Sequence, residues 1–315
     1  MKLMEHQGVR LEIPVDTAGA GATVMAHCFA PDPAAAARLA APIWIMTVHG
    51  AGEDWTYFNK VIPGHEDEQY SFAAFMAERG VGTVTIDALG RGESVFPFHG
   101  SELTLETIAT GHHQAAQEIR SRLLQGTLTP QLPPQDGLFF CGLGHSGGGA
   151  EIMVQQGTFA TYDGIVVLSM PADDFKYPNN GQLDLNAAIQ TNEQGMVFIS
   201  KRPAASINGA FTPDTPQDVR DAFPPGKPYP PSHLLNMKNG TLAPYARKIT
   251  CPVFSGLGEV DLAGSPLREQ NRFGSADTTS YVQFDCYHHV WASPGRLELM
   301  AVIYNWARAR ATWRS

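Results

Sequence analysis

No run of 18 or more apolar residues occurs in the chain, so a membrane-spanning helix is not expected. The first fifteen residues, MKLMEHQGVRLEIPV, lack the unbroken apolar stretch of a secretory leader. Basic residues are scarce: 22 Lys and Arg against 31 Asp and Glu leave a formal net charge of −9, and no basic cluster offsets it. Such a surface repels phosphate backbones, which excludes nucleic acid as an expected partner. Cysteine is rare too. Cys28, Cys141, Cys251 and Cys286 each lie in or beside an apolar run, and they read as buried, reduced thiols rather than a disulfide framework. Neither H-E-x-x-H nor C-x-x-C occurs, and the adjacent His112 and His113 suit chelation poorly, so neither a metal nor another cofactor is expected. These absences point to a cytoplasmic protein with no membrane partner. They leave the oligomeric state open, a homo-oligomer included.

What is present is core material. Of 315 residues 43% are hydrophobic and only 17% charged, enough for one large domain carrying an insertion. Val9–Val15 and Thr23–Ala30 alternate in polarity and read as antiparallel edge strands. Continuous apolar runs follow at Ile43–Val48, Val81–Ile86, Gly137–Leu143 and Gly164–Met170, as for strands buried on both faces. Helical spacing separates them at Glu66–Arg79, Thr104–Gln125 and Ser146–Gln156. The pattern resumes with strands at Cys251–Leu257 and Tyr281–Asp285 and helices at Pro266–Phe273 and Arg296–Ala311. The fold class expected is α/β, a mostly parallel central sheet with helices on both faces. Between the two blocks, residues 172–248 are dense in proline yet hold Phe175, Tyr177, Phe198, Phe211, Phe223 and Tyr229. Proline at that density breaks regular elements, and the aromatics argue for packing. We read this stretch as a cap insertion, with 1–171 and 249–315 as the core domain.

The decisive motif is Gly144-His145-Ser146-Gly147-Gly148, placed between the apolar run GLFFCGL and a helix-forming stretch. A serine in G-x-S-x-G at a strand–turn–helix junction is lifted off the sheet on a strained turn. The backbone N–H of Gly147, just after it, can donate to a developing oxyanion. A glycine-rich phosphate loop would need a lysine or a dinucleotide fingerprint, and neither is present.

With these residues the chain resembles the α/β-hydrolase superfamily over nearly its whole length. Three further motifs are similar to the family's. His49-Gly50-Ala51-Gly52 follows the strand IWIMTV like the oxyanion loop. Asp87-Ala-Leu-Gly90-Arg-Gly92-Glu-Ser94 follows the next strand. Gly258-Glu-Val-Asp261 follows CPVFSGL, where the family places its acid. The resemblance implies Ser146 as nucleophile, Asp261 as acid and a histidine from the last loop as base, in the order Ser, acid, His. His289 is preferred because an apolar residue follows it, with His288 as the alternate. Asp173 and Glu259 are alternates for the acid. Ala51 joins Gly147 as the second oxyanion donor. His49 reads as a loop-holding residue, and Asp87, Arg91 and Ser94 as a structural network.

The expected reaction is hydrolysis of a carboxylic ester or lactone of a hydrophobic small molecule through an acyl-enzyme. Serine in the elbow argues against the family's dehalogenase and epoxide hydrolase branches, which use aspartate there. Gly52, Trp55, Tyr57, Phe58, Phe175, Tyr177 and Trp291 are the expected substrate-pocket residues. Carbon–carbon bond hydrolysis and acyl transfer use the same triad and stay open as alternatives. A hydrolase-like receptor that binds without turnover is the non-enzyme alternative.

Overall fold

A computed structural model describes residues 8–17, 19–175, 189–199, 210–223, 226–235, 239–263 and 265–312. Among the described residues ten strands run β1 Val9–Thr17, β2 Ala20–Phe29, β3 Ile43–Val48, β4 Gly82–Ile86, β5 Phe139–His145, β6 Gly164–Leu168, β7 Ile189–Thr191, β8 Val197–Ile199, β9 Val253–Gly258 and β10 Thr278–Gln283. Nine α-helices accompany them among the described residues: α1 Pro33–Ala36, α2 Phe72–Ala77, α3 Leu105–Gln125, α4 Gly147–Phe159, α5 Gln217–Ala222, α6 Ser232–Leu235, α7 Ala243–Ala246, α8 Pro266–Gln270 and α9 Arg296–Ala311.

Eight strands form one sheet in the order β1-β2-β4-β3-β5-β6-β9-β10. The pairs β1·β2 and β2·β4 are antiparallel, and every pair from β4 to β10 is parallel. The unbroken apolar runs have a simple cause. Successive side chains of a strand point to opposite faces, and here both faces are covered. Trp44, Met46 and Val48 of β3 pack with Ile108, Ile119 and Met153 of α3 and α4. Ile43 and Ile45 pack on the other side with Phe72 and Met76 of α2 and Ile303 and Trp306 of α9. The expected α/β class is therefore the observed one.

Local chemistry sets the element limits. Helix α2 begins at Phe72, later than the periodicity predicts, because the Ser71 hydroxyl accepts from the Ala74 N–H and caps it. Thr104 caps α3 in the same manner, and Gly126 ends it in the left-handed region at φ 69°. The segment between β6 and β9 carries the two-stranded antiparallel sheet β7·β8 and helices α5, α6 and α7. Phe211 and Phe223 from this segment are buried against the core face that holds Tyr57 and Trp291. All four cysteines are free thiols, three of them buried. Among the described residues no helix is long and apolar enough to cross a membrane.

Candidate active site

Strand β5 delivers Ser146 to the carboxyl end of the sheet, where it caps α4. Its backbone is forced to φ 53° and ψ −121°, a region that costs an L-residue energy and persists only when its surroundings over-determine it. The surroundings do so through contact. A Cβ on Gly144 would lie 2.2 Å from the Gly148 carbonyl oxygen, and one on Gly148 would lie 2.2 Å from the Val48 carbonyl oxygen. Only glycine lets strand and helix approach so closely. The Ser146 N–H donates to the Leu168 carbonyl at 2.8 Å, which fixes the turn to β6.

The imidazole facing Ser146 is that of His288. The Ser146 hydroxyl donates to His288 Nε2 at 2.9 Å, and His288 Nδ1–H donates to Asp261 Oδ1 at 2.8 Å. This corrects the expectation for His289. Neighbouring side chains in the loop diverge, and the ring of His289 turns inward to stack on Phe211 at 4.7 Å, beside Tyr57 and Phe223. Of the three candidate acids, Asp261 reaches the histidine. Asp173 is paired with Arg272 at 3.0 Å, and Glu259 accepts from the Asp285 N–H at 3.1 Å.

The Asp261 side chain is 1% exposed. Burial pushes its pKa up, but the His288 charge and hydrogen bond and the Gly258 N–H hold it below the usual carboxylate value. It therefore stays ionised and keeps the Nδ1 hydrogen of His288 in place, leaving Nε2 free to accept.

Two residues with no role assigned from the sequence hold His288 from behind. His145 Nε2–H donates to the His288 carbonyl at 2.8 Å, and the Ser169 hydroxyl donates to the same oxygen at 3.2 Å. Burial keeps His145 neutral, with its pKa lowered to about 3. Ser169 sits at φ 54°, a second strained position just past a strand end.

Gly147 is the first residue of α4, so its N–H has no partner within the helix. The oxyanion-loop candidate lies beside it: a Cβ on Gly147 would be 3.0 Å from the Ala51 nitrogen. The loop is tied down as expected. His49 Nδ1–H donates to the Gly50 carbonyl at 2.9 Å, and its Nε2 accepts from the Ala88 N–H at 3.1 Å. Burial lowers the His49 pKa to about 3, which suits a neutral ring in those two roles. Asp87 accepts from the Trp55 and Glu93 N–H groups, and the Ser94 hydroxyl donates to the Asp87 carbonyl at 2.6 Å.

The expected pocket residues divide. Tyr57, Phe58 and Trp291 are fully buried, so they are corrected to core residues: they pack against His145 and Phe72 and offer no surface to a substrate. Trp55 is half-buried and stacks on His27 at 3.7 Å. Gly52 accepts at its carbonyl from the Lys227 N–H at 2.7 Å. Half-buried Phe175 bridges Ala263, two residues past Asp261. Tyr177 lies outside the described residues.

A cavity of about 730 Å³ lies beside the Asp87 loop, lined by Trp55, Phe96, Phe98, Leu103 and Met196 with Asp54 and Lys227. A second, of about 810 Å³, lies at the amino end of β3, around Ile43, Trp44, Leu39 and Leu132. Neither is lined by Ser146, His288 or Asp261. Among the described residues no three His, Cys, Asp or Glu side chains converge to hold a metal ion.

The sequence profile of the Alpha/beta hydrolase family matches residues 45–298. The chain belongs to this family. The match spans both the elbow and the loop that carries His288. No curated protein matches the sequence. Solved structures of the same fold include a monoacylglycerol lipase of Paleococcus ferrophilus (TM-score 0.59, 17% identity, covering 91% of this chain and 99% of that one). A thermophilic esterase of Thermogutta terrifontis aligns with TM-score 0.63 at 13% identity over 96% of this chain and 100% of that one. A soluble variant of a Saccharomyces cerevisiae monoglyceride lipase aligns with TM-score 0.64 at 12% identity over 96% and 95% of the two chains.

Proposed function

We propose that this α/β-hydrolase is a serine hydrolase that cleaves a carboxylic ester or lactone of a hydrophobic small molecule through an acyl-enzyme. The observation that carries the reading is the continuous chain of hydrogen bonds Ser146–His288–Asp261, at 2.9 Å and 2.8 Å. A serine hydroxyl is a poor nucleophile at neutral pH and needs a base within this reach. As Oγ attacks the carbonyl carbon, its proton passes to His288 Nε2, and the imidazolium is stabilised by Asp261. The carbonyl oxygen becomes anionic and is met by the Ala51 and Gly147 N–H groups. Collapse breaks the ester C–O bond, His288 protonates the leaving alcohol, and the acyl group stays on Ser146. Water then gives a proton to His288 and attacks the acyl carbon; the bond from that carbon to Oγ breaks, His288 returns the proton to Ser146 and the acid leaves.

We assign residues 172–248 as a cap over this site, supported by the contact of Lys227 with Gly52. A cytoplasmic location goes with this proposal and is compatible with the four free thiols. The test is a hydrolysis screen of aryl esters, aliphatic lactones and vinylogous diketones, run beside Ser146→Ala. The proposal expects turnover of esters or lactones that Ser146→Ala abolishes. Turnover confined to diketones would move the assignment to carbon–carbon bond cleavage, and binding without turnover would favour a receptor.

A further inference from the structure

Beneath the elbow lies a charged cluster that the reaction just described does not use. Glu151, one turn into α4, is fully buried and faces three basic side chains. Arg91 pairs with its Oε1 through Nη2. His233, from α6 in the segment assigned as the cap, donates from Nε2 to the same oxygen at 2.6 Å. His112 Nδ1 stands 3.6 Å from Oε2. Burial alone would raise the Glu151 pKa, yet Arg91 and the His233 hydrogen bond lower it to about 2.

Each end of this cluster reaches a candidate oxyanion donor. Arg91 Nη1 donates to the Gly50 carbonyl at 3.2 Å, alongside His49. The Gly50 carbonyl and the Ala51 N–H belong to one peptide unit, which is planar and trans, so they point in opposite directions. Holding that oxygen inward aims the Ala51 N–H outward. At the other end the His233 ring lies against Gly147, where a Cβ would meet Cδ2 at 2.7 Å. The segment just before α6 rests on the same loops. The Gly52 carbonyl accepts from the Lys227 N–H, and a Cβ on Gly52, at φ 82°, would lie 2.8 Å from the Gly226 Cα.

We propose that His233 is a positioning residue: with Glu151 and Arg91 it forms a buried brace that sets the two oxyanion donors, Ala51 and Gly147, from the cap side. This rests on the serine hydrolase reading. Donors misaimed by a fraction of an ångström bind the ground state almost as well but stabilise the tetrahedral oxyanion less, so the brace acts on kcat more than on KM.

The test compares wild type, His233→Leu, which fills the space without a donor, and His233→Gln, whose amide can reach Glu151. Each is assayed with a p-nitrophenyl ester and titrated with an aryl boronic acid, which forms a tetrahedral anion on the serine. The expected result is a fall in kcat of about tenfold or more in His233→Leu, since loss of a whole donor typically costs about 10²–10³. KM changes little, boronate affinity falls in step with kcat, and His233→Gln stays within about threefold of wild type on both. Unchanged kcat and boronate affinity in a folded His233→Leu overturns the brace. If that variant does not fold, His233→Gln decides alone, and a loss beyond about tenfold overturns it. A folded wild type that neither hydrolyses ester nor binds boronate overturns the hydrolase reading and the brace with it. An active wild type with an indifferent His233 overturns only the brace.

Discussion

Replacing Arg91 by Met removes one charge from a buried pair whose side chains are 1% and 0% exposed. Methionine fills most of the space, so the loss is electrostatic. Glu151 then keeps a single short hydrogen bond, from His233, and the weak approach of His112. Leaving a buried carboxylate with its main counter-charge gone costs about 3–5 kcal/mol, a large share of the 5–15 kcal/mol typical of a folded protein. The loss depends on pH, and its sign follows from the two histidines. In the wild type burial, with Arg91 adding to it, lowers the pKa of His233 and takes that of His112 to about 4. Without Arg91 one lowering influence is gone and the uncompensated carboxylate favours a proton on one of them, so its folded pKa rises from that depressed position. A histidine whose folded pKa lies below its unfolded value costs stability at acid pH, and that cost shrinks as the folded pKa rises. The deficit of Arg91→Met is therefore larger at pH 8 than at pH 5.5, read from urea denaturation followed by tryptophan fluorescence. The double variant Arg91→Met/Glu151→Met removes the charge that was stranded and regains about half of the loss or more. A deficit below about 1 kcal/mol at pH 8, an equal deficit at both pH values, or a double variant worse than either single one refutes this reasoning.

The neighbouring histidines separate cleanly. His288→Ala lowers kcat/KM by about 10⁴-fold or more and also costs stability, because it strips the buried Asp261 carboxylate of its imidazole partner. His289→Ala keeps activity within about tenfold but costs about 2 kcal/mol, since its ring is buried among Phe211, Phe223 and Tyr57; paired kinetics and urea titrations check both. Asp261→Asn keeps the shape but lets His288 take the wrong tautomer, and kcat falls by about 10³–10⁴. Its effect on stability runs with acid. The folded pKa of Asp261 is depressed, so its contribution is full above about pH 3.9 and is lost as pH falls through the folded value. Urea midpoints of wild type and Asp261→Asn accordingly converge at low pH.

The sheet was legible because its strands are covered on both faces. Ile43–Val48 and Gly164–Met170 read as continuous apolar runs and form β3 and β6, the second ending at Leu168. The elbow was legible because its whole pattern, Gly144 to Gly148, lies in one short stretch between an apolar run and a helix, even though Gly148 answers to the distant Val48 carbonyl. What failed was whatever depends on direction. His288 and His289 have the same side chain, and the bend at Asp285, with φ 48°, and the turn at Val290–Ala292 decide which one faces Ser146. Aromatic residues near a catalytic motif look alike in sequence whether they line a pocket or fill a core, so Tyr57, Phe58 and Trp291 were misplaced. The brace was invisible because His233 and Glu151 meet across 82 residues of chain. One signal was available: a carboxylate one turn into the helix after the elbow, in the stretch GGGAEIMV, stands on a helix with no other charge to share its burial.

Every step of the proposed reaction begins at one hydroxyl. Incubation of the folded protein with a fluorophosphonate, followed by mass spectrometry of its peptides, measures its reactivity directly. A single adduct is expected on Ser146, absent in Ser146→Ala and forming far more slowly in His288→Ala. No adduct on folded wild type, or one of equal rate in His288→Ala, would contradict the proposed reaction.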